Sequence, residues 1–172
     1  MNYYIADTHF GHYNILKHSK RPFTSVEEMD ETIIKNWNDV VTDNDDVYIL
    51  GDFCFKSENP ETYLKRLKGK LHLIIGNHDG VILKNRRLRE YFVEIKDILT
   101  ITDKGKRIVL CHYPLCEWPG YFRDTLHFYG HIHNNEENMS FKMMTTIPNA
   151  YNVGVDIIGF APQTVDQIIK GR

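Results

Sequence analysis

An α/β fold built on a mixed sheet is what this 172-residue sequence predicts. Three observations lead there. Short apolar runs, each closed by a glycine or a polar residue, alternate with amphipathic segments of helical period through the first half of the chain. From Ile95 onward the sequence turns richer in β signals, a combination that layers helices against sheet. A hydrophobic share of 42% against 26% charged residues supplies one ordinary globular core and no more, so a single domain over residues 1–172 is expected.

Taken in chain order, the strand candidates are Tyr3–Ala6, Val47–Leu50, Leu71–Ile75, Ile108–Cys111 and Leu126–Tyr129, with Asn152–Val155 as a later one. Lys104-Gly105-Lys106 divides the β-rich runs Ile95–Thr102 and Arg107–Cys111 and reads as a hairpin turn. Val26, Met29, Ile33, Trp37 and Val40 recur at helical spacing, and Ser25 with Glu28 forms a candidate capping box ahead of them. Pro60–Lys68 and Pro162–Lys170 each begin with proline and close on glycine, the order expected of a helix. Val81–Tyr91 is a further helical stretch. No repeat or low-complexity tract interrupts the pattern.

Composition excludes several classes of function. Twenty-one aromatic residues and the apolar share exclude a disordered chain. A formal charge of −2 supplies no global basic field for nucleic acid. The apolar runs fall far short of the roughly 20 residues that span a bilayer. The N-terminal stretch has no basic segment leading an apolar one, so no signal peptide is expected. Cys54, Cys111 and Cys116 form no C-x-x-C pair, which together with the missing export signal suggests reduced thiols in a cytoplasm.

The strongest functional signal lies in the residues immediately after each strand. Tyr3–Ala6 runs into Asp7-Thr8-His9, Val47–Leu50 into Gly51-Asp52, and Leu71–Ile75 into Gly76-Asn77-His78-Asp79. Ile108–Cys111 runs into His112, and Leu126–Tyr129 into Gly130-His131-Ile132-His133. Ligands of open α/β sheets bind at the carboxyl ends of strands, so strands lying side by side would bring these residues to one site. Asp7, His9, Asp52, Asn77, His112, His131 and His133 are too many donors for one tetrahedral ion. Shared between two ions with Asp52 bridging, they give four protein contacts each. Imidazole and carboxylate suit manganese or iron, with zinc or nickel as alternatives, and the lack of cysteine argues against a structural zinc site. Such a cluster keeps net positive charge, attracts phosphate and makes hydroxide available near neutral pH. Ions roughly 3.5–4 Å apart would serve both the nucleophile and the phosphoryl oxygens.

In this order, Asp7-x-His9, Gly51-Asp52, Gly76-Asn77-His78-Asp79, His112 and Gly130-His131-x-His133 resemble the calcineurin-like metallophosphoesterase superfamily. The opening Asp7-Thr8-His9-Phe10-Gly11-His12-Tyr13-Asn14-Ile15 is similar to a small bacterial and phage subgroup of it. The resemblance implies a four-layer α/β/β/α sandwich with mixed sheets. It also implies that Asp7, His9, Asp52 and His133 hold one metal and Asp52, Asn77, His112 and His131 the other. His78 would then be the proton donor to the leaving group.

One departure narrows the substrate. In the protein-phosphatase branch the bridging Asp motif continues Gly-Asp-x-x-Asp-Arg-Gly, whereas this chain reads Gly51-Asp52-Phe53-Cys54-Phe55-Lys56-Ser57. Phe55 cannot orient a catalytic histidine, and Lys56 cannot make the bidentate phosphate contact of arginine. A protein phosphatase or dinucleoside-tetraphosphate hydrolase is therefore disfavoured, and Asp79 becomes the nearest candidate for orienting His78.

The remaining polar residues divide between bland and functional readings. His12 and Asn14 are candidate contacts to substrate phosphate, with surface turn residues as the alternative. Arg86, Arg87 and Arg89 read better as a solvated helix face than as a phosphate patch. Arg21-Pro22-Phe23 and Trp118–Arg123 are loops expected to pack over the sheet edge rather than stack on a base. His18, His72 and His127 are given no functional role, and Cys54 and Cys111 are expected to be small core residues.

The expected function is hydrolysis of a small phosphomono- or phosphodiester, nucleotide-type esters included, by metal-bound hydroxide. Its rivals are a non-catalytic metal-binding scaffold on the same fold, against which the complete ligand set counts, and a nucleic-acid-end processing factor, which the net charge does not support.

Overall fold

The structure is a computed structural model that describes residues 1–54 and 59–172, so the readings of Phe55 and Lys56 lie outside the described residues. Two four-stranded sheets pack face to face. The first is ordered β1 (Asn2–Ile5), β2 (Asp46–Ile49), β3 (Lys70–Ile74) and β4 (Phe92–Lys96), with all neighbours parallel. The second is ordered β5 (Ile98–Asp103), β6 (Lys106–Cys111), β7 (Leu126–Tyr129) and β8 (Ala150–Asn152). Here β5 and β6 are antiparallel and the remaining pairs parallel, so the mixed pairing expected from the sequence resides in this sheet alone. The expected hairpin joins β5 to β6, and Lys104 and Gly105 both take positive φ, 47° and 77°, as a two-residue turn of that hand requires.

Period-two alternation builds the layers. Tyr3, Ile5, Val47, Ile49, Leu71 and Leu73 point from the first sheet onto an outer helical layer. That layer comprises α1 (Ile15–His18), α2 (Val26–Val40), α3 (Glu61–Leu64), α4 (Gly80–Lys84) and α5 (Arg86–Arg89). The intervening residues Tyr4, Ala6, Tyr48, Leu50 and Ile74 point the other way and meet Ile108, Leu110, Leu126 and Phe128 of the second sheet. The far face of the second sheet, with Val109, Tyr129 and Ala150, is covered by Trp118, Ile132 and Met144 of α6 (Met139–Thr146). Helix, sheet, sheet, helix is thus the layering, and strands buried on both faces explain the near-continuous apolar runs. Two later helices, α7 (Val155–Ile158) and α8 (Val165–Lys170), close the edge beside β1.

Several boundaries differ from the sequence reading for local reasons. Ile95–Thr102 is not one β run: it is cut at Asp97, where the chain leaves β4 for β5 in the other sheet. Asn152–Val155 is not a strand, because the Asn152 side chain accepts the Gly154 N–H at 2.9 Å and turns the chain into α7. The Pro162–Lys170 helix starts only at Val165, since Gln163 pairs with Tyr4 as an antiparallel bridge and Thr164 with Gln167 forms the capping box. Pro60–Lys68 shrinks to α3 as Arg66 and Leu67 donate to carbonyls three residues back, tightening the chain into a turn. Val81–Tyr91 breaks at Asn85, whose side chain accepts from the Arg87 and Leu88 N–H groups and begins α5. Val40, expected on the apolar face of α2, is exposed, and Val41 is buried in its place.

The apolar face of α2 also carries a buried carboxylate. Asp30 accepts the Gly11 N–H and so holds the loop after β1 against α2. Burial raises its pKa to about 6, against the opposing hydrogen bonds from Tyr63 and Gly11. Between an ordinary aspartate pKa of roughly 3.9 and that value, the folded chain keeps a proton that the unfolded chain has released. This residue therefore lowers stability as pH rises through that window and changes nothing further above it. Asp30→Asn, measured by thermal melting in one fixed metal condition, should gain on the wild type from about pH 4 to about pH 6 and then hold a constant lead. A pH-independent difference between the two proteins would show that Asp30 titrates normally.

Candidate metal centre

The carboxyl ends of β1, β2, β3, β6 and β7 open onto one edge of the sandwich, and loops from both sheets are laced together there. Asp7 and His9 donate backbone N–H groups to the carbonyls of Gly51 and Asp52, at 3.1 and 3.0 Å. The His131 N–H donates to both oxygens of Asp7, 3.1 and 2.9 Å away, and so ties the second sheet to the first.

Two groups of side chains result. Asp7, His9 and His133 form one, Asp52, His112 and His131 the other, and within each group one donor atom per residue lies within 4.8 Å of the others. Asp52 stands between them, its Oδ2 being 3.6 Å from His9 Nε2 and 3.6 Å from His112 Nε2. Asn77 joins the second group through Oδ1, which is 3.2 Å from His112 Nε2. All seven sequence-predicted donors are therefore brought together. His131 and His133 fall in different groups although one residue separates them.

The backbone explains that division. Asp7, His9, Asp52, His131 and His133 all adopt positive φ, between 48° and 70°. Left-handed backbone at non-glycine residues costs of order 1–3 kcal/mol each and persists only where surroundings impose it. Here it fans side chains that an extended strand would hold on one side. Two glycines make room for the carboxylates: a Cβ on Gly76 would overlap the Asp52 carboxylate and backbone nitrogen, and one on Gly130 would overlap Asp7 Oδ2. The Gly-x pattern after the strands is thus a packing requirement.

The donor set fits divalent cations. His112 Nδ1 faces the Leu50 carbonyl at 2.7 Å and donates to it, leaving Nε2 as an acceptor. That nitrogen, Asn77 Oδ1 and Asp52 Oδ2 are three acceptors converging on one space, which a cation completes. The electrostatics agree. Burial, with the Asp52 charge, raises the Asp7 carboxyl to about 7, and burial likewise raises Asp52. Burial pushes His9, His112 and His131 down, so these rings are neutral lone-pair donors at pH 7.

The two residues flanking the cluster are placed differently from the two substrate candidates. His78 donates its backbone N–H to Asp52 Oδ1 at 2.8 Å, and its Nε2 lies 3.9 Å from Asp52 Oδ2, with the ring partly exposed. Asp79 does not serve His78 as expected. It is buried, and its carboxylate accepts from the N–H groups of Asp52, Phe53 and Gly76 at 2.7–3.0 Å, pinning the Asp52 loop to the Asn77 loop. His12 lies against His9, ring centroids 5.4 Å apart, and burial lowers it to about 4. Asn14 is exposed at the head of α1, its carbonyl accepting the His18 N–H, and no described contact links it to the cluster.

Sequence reasoning missed two residues. Asp156 Oδ2 accepts from His133 Nδ1 at 2.7 Å. Arg21, expected in a loop over the sheet edge, is instead buried, donating from Nε to Asp156 Oδ1 at 2.7 Å and from its terminal nitrogens to the carbonyls of Asp7 and Thr8. Asp156 had a signal, since it comes after a strand as the other site residues do. Arg21 had none, because it reaches the site only through the folded loop. The other loop packs only in part: Trp118 is buried over the second sheet, its Nε1 donating to the Thr125 carbonyl, while Phe122 is exposed.

Residues 3–158 match the calcineurin-like phosphoesterase family over most of the chain. The chain belongs to that family. An uncharacterised protein of Methanocaldococcus jannaschii is 37% identical over 171 residues, covering 98% of this chain and 89% of the relative. A gene product of Mycobacterium phage L5 is 34% identical over 88 residues, 49% of this chain and 42% of that protein. Among solved structures, a protein of unknown function from Aquifex aeolicus superposes with a TM-score of 0.78 at 32% identity, covering 99% of this chain and 98% of its own. This calcineurin-like phosphoesterase has, among its described residues, no helix long and apolar enough to cross a membrane.

Proposed function

We propose that this chain is a two-metal hydrolase of small phosphomono- or phosphodiesters, with Asp7, His9, Asp52 and His133 holding one ion and Asp52, Asn77, His112 and His131 the other. The carrying observation is the position of Asp52 Oδ2, equally distant from a histidine of each group. Manganese or iron suits this oxygen- and imidazole-rich set, with zinc or nickel also compatible. When bound, two such ions supply Lewis-acid polarisation of phosphoryl oxygens and a lowered pKa for water.

The chain's own residues do the rest. Asp79 holds the Asp52 and Asn77 loops at fixed separation through three backbone N–H groups. His78, partly exposed beside Asp52, gives its proton to the ester oxygen as the phosphorus–oxygen bond breaks and a water oxygen bonds to phosphorus; that water sheds one proton to solvent, and solvent reprotonates His78. Tyr113, 44% exposed and 4.8 Å from the His131 ring, gives an ester with a planar substituent a surface beside the site. His12, next to His9, is a candidate contact for substrate phosphate. A family member with a full donor set and an accessible His78 fits an enzyme better than a scaffold.

The test is a screen of phosphomono- and phosphodiesters with chelator-stripped protein, adding Mn²⁺, Fe²⁺, Zn²⁺ or Ni²⁺ in turn. Metal-dependent release of phosphate or alcohol from at least one ester class is expected. Intact esters with every metal would favour the scaffold reading.

A further inference from the structure

The two halves of the centre are backed unequally. In the second group, the outer nitrogen of His112 meets a neutral carbonyl, that of Leu50. In the first, the outer nitrogen of His133 meets the carboxylate of Asp156. That carboxylate is almost fully enclosed, its side chain 1% exposed, and Arg21 neutralises it while also gripping the Asp7 and Thr8 carbonyls.

We infer that Asp156, held by Arg21, is a positioning residue for the metal at Asp7, His9 and His133 alone, fixing His133 with Nδ1 as donor and Nε2 turned to the ion. The inference rests on the two-metal reading. An anionic partner on the outer nitrogen fixes the imidazole's tautomer and orientation and makes it a stronger ligand. Arg21 adds a second restraint, since one guanidinium joins the loop carrying Asp7 to the helix carrying Asp156. Among the described residues the second group shows no such carboxylate: His131, one of its ligands, is exposed, and His112 is set by the Leu50 carbonyl. Asp156 therefore acts on one ion and leaves the other to Asp52, His112, His131 and Asn77.

The test is Mn²⁺ titration calorimetry on chelator-stripped protein, paired with anomalous scattering from Mn²⁺-soaked crystals. Wild type should take two ions. Asp156→Asn, which keeps the shape and an acceptor, should weaken one binding event by about 10–100-fold, the usual effect of losing a ligand's outer partner. The anomalous peak beside Asp7 and His133 should fade while the one beside His112 and His131 remains. Because a lone Arg21 would be a buried unpaired charge, Arg21→Met with Asp156→Leu provides a charge-free second variant, which should fold and show the same selective loss. Two ions at wild-type affinity in both variants, or equal weakening of both events, would overturn the inference and leave the two-metal reading standing. Wild type that takes up no ion would overturn both.

Discussion

Asp52→Asn should lower bound metal well below two ions per chain and cut turnover by at least about 10²–10³-fold, the scale of losing an electrostatic stabiliser in a water-excluded site. Asp52 Oδ2 is 3.6 Å from a histidine of each ligand group, so its charge serves both positions. The fold should survive. An asparagine side-chain oxygen can still accept the His78 N–H, now held by Asp52 Oδ1, and the Asp79 anchor uses only the Asp52 backbone. Burial raises the Asp52 carboxyl, which means that its charge is a cost to the metal-free protein. Metal-free Asp52→Asn should accordingly melt no lower than metal-free wild type, while the metal-loaded wild type should melt higher than either. Elemental analysis and paired melting curves read this directly. Two ions and normal turnover in the variant would refute a bridging role.

Parallel-strand geometry made much of the site legible in the sequence. Strands that run the same way deliver their next residues to one edge, so Asp7, Asp52 and Asn77 could be collected without knowing any angle. The division of His131 from His133 depends on left-handed backbone at 70° and 48°, which residue spacing does not encode. Asp79 misled because adjacency suggests partnership, yet its carboxylate turns inward to three backbone N–H groups. Asp156 carried the same after-strand signal and was passed over; the structure sets it in α7, which begins where the Asn152 side chain captures the Gly154 N–H. Helix lengths depend on equally local contacts: the Asn85 side chain breaks Val81–Tyr91, and the bridge between Gln163 and Tyr4 delays the start of α8.

His78→Ala should separate chemistry from metal binding. The backbone of His78 is fixed by Asp52, while its side chain stands beside the cluster, partly exposed, with Nε2 3.9 Å from Asp52 Oδ2. Alanine retains the N–H that donates to Asp52, so two ions per chain are expected in the variant. A general acid matters most when the departing oxygen is basic, because an alkoxide needs its proton in the transition state. Turnover of alkyl or nucleoside esters should therefore fall by about 10²–10⁴-fold. A p-nitrophenolate group leaves largely without a proton, so p-nitrophenyl esters should lose visibly less. Equal losses on both ester types would instead assign His78 to holding phosphoryl oxygens. Metal lost along with activity would make it a ligand, and the division of roles between Asn77 and His78 would fail.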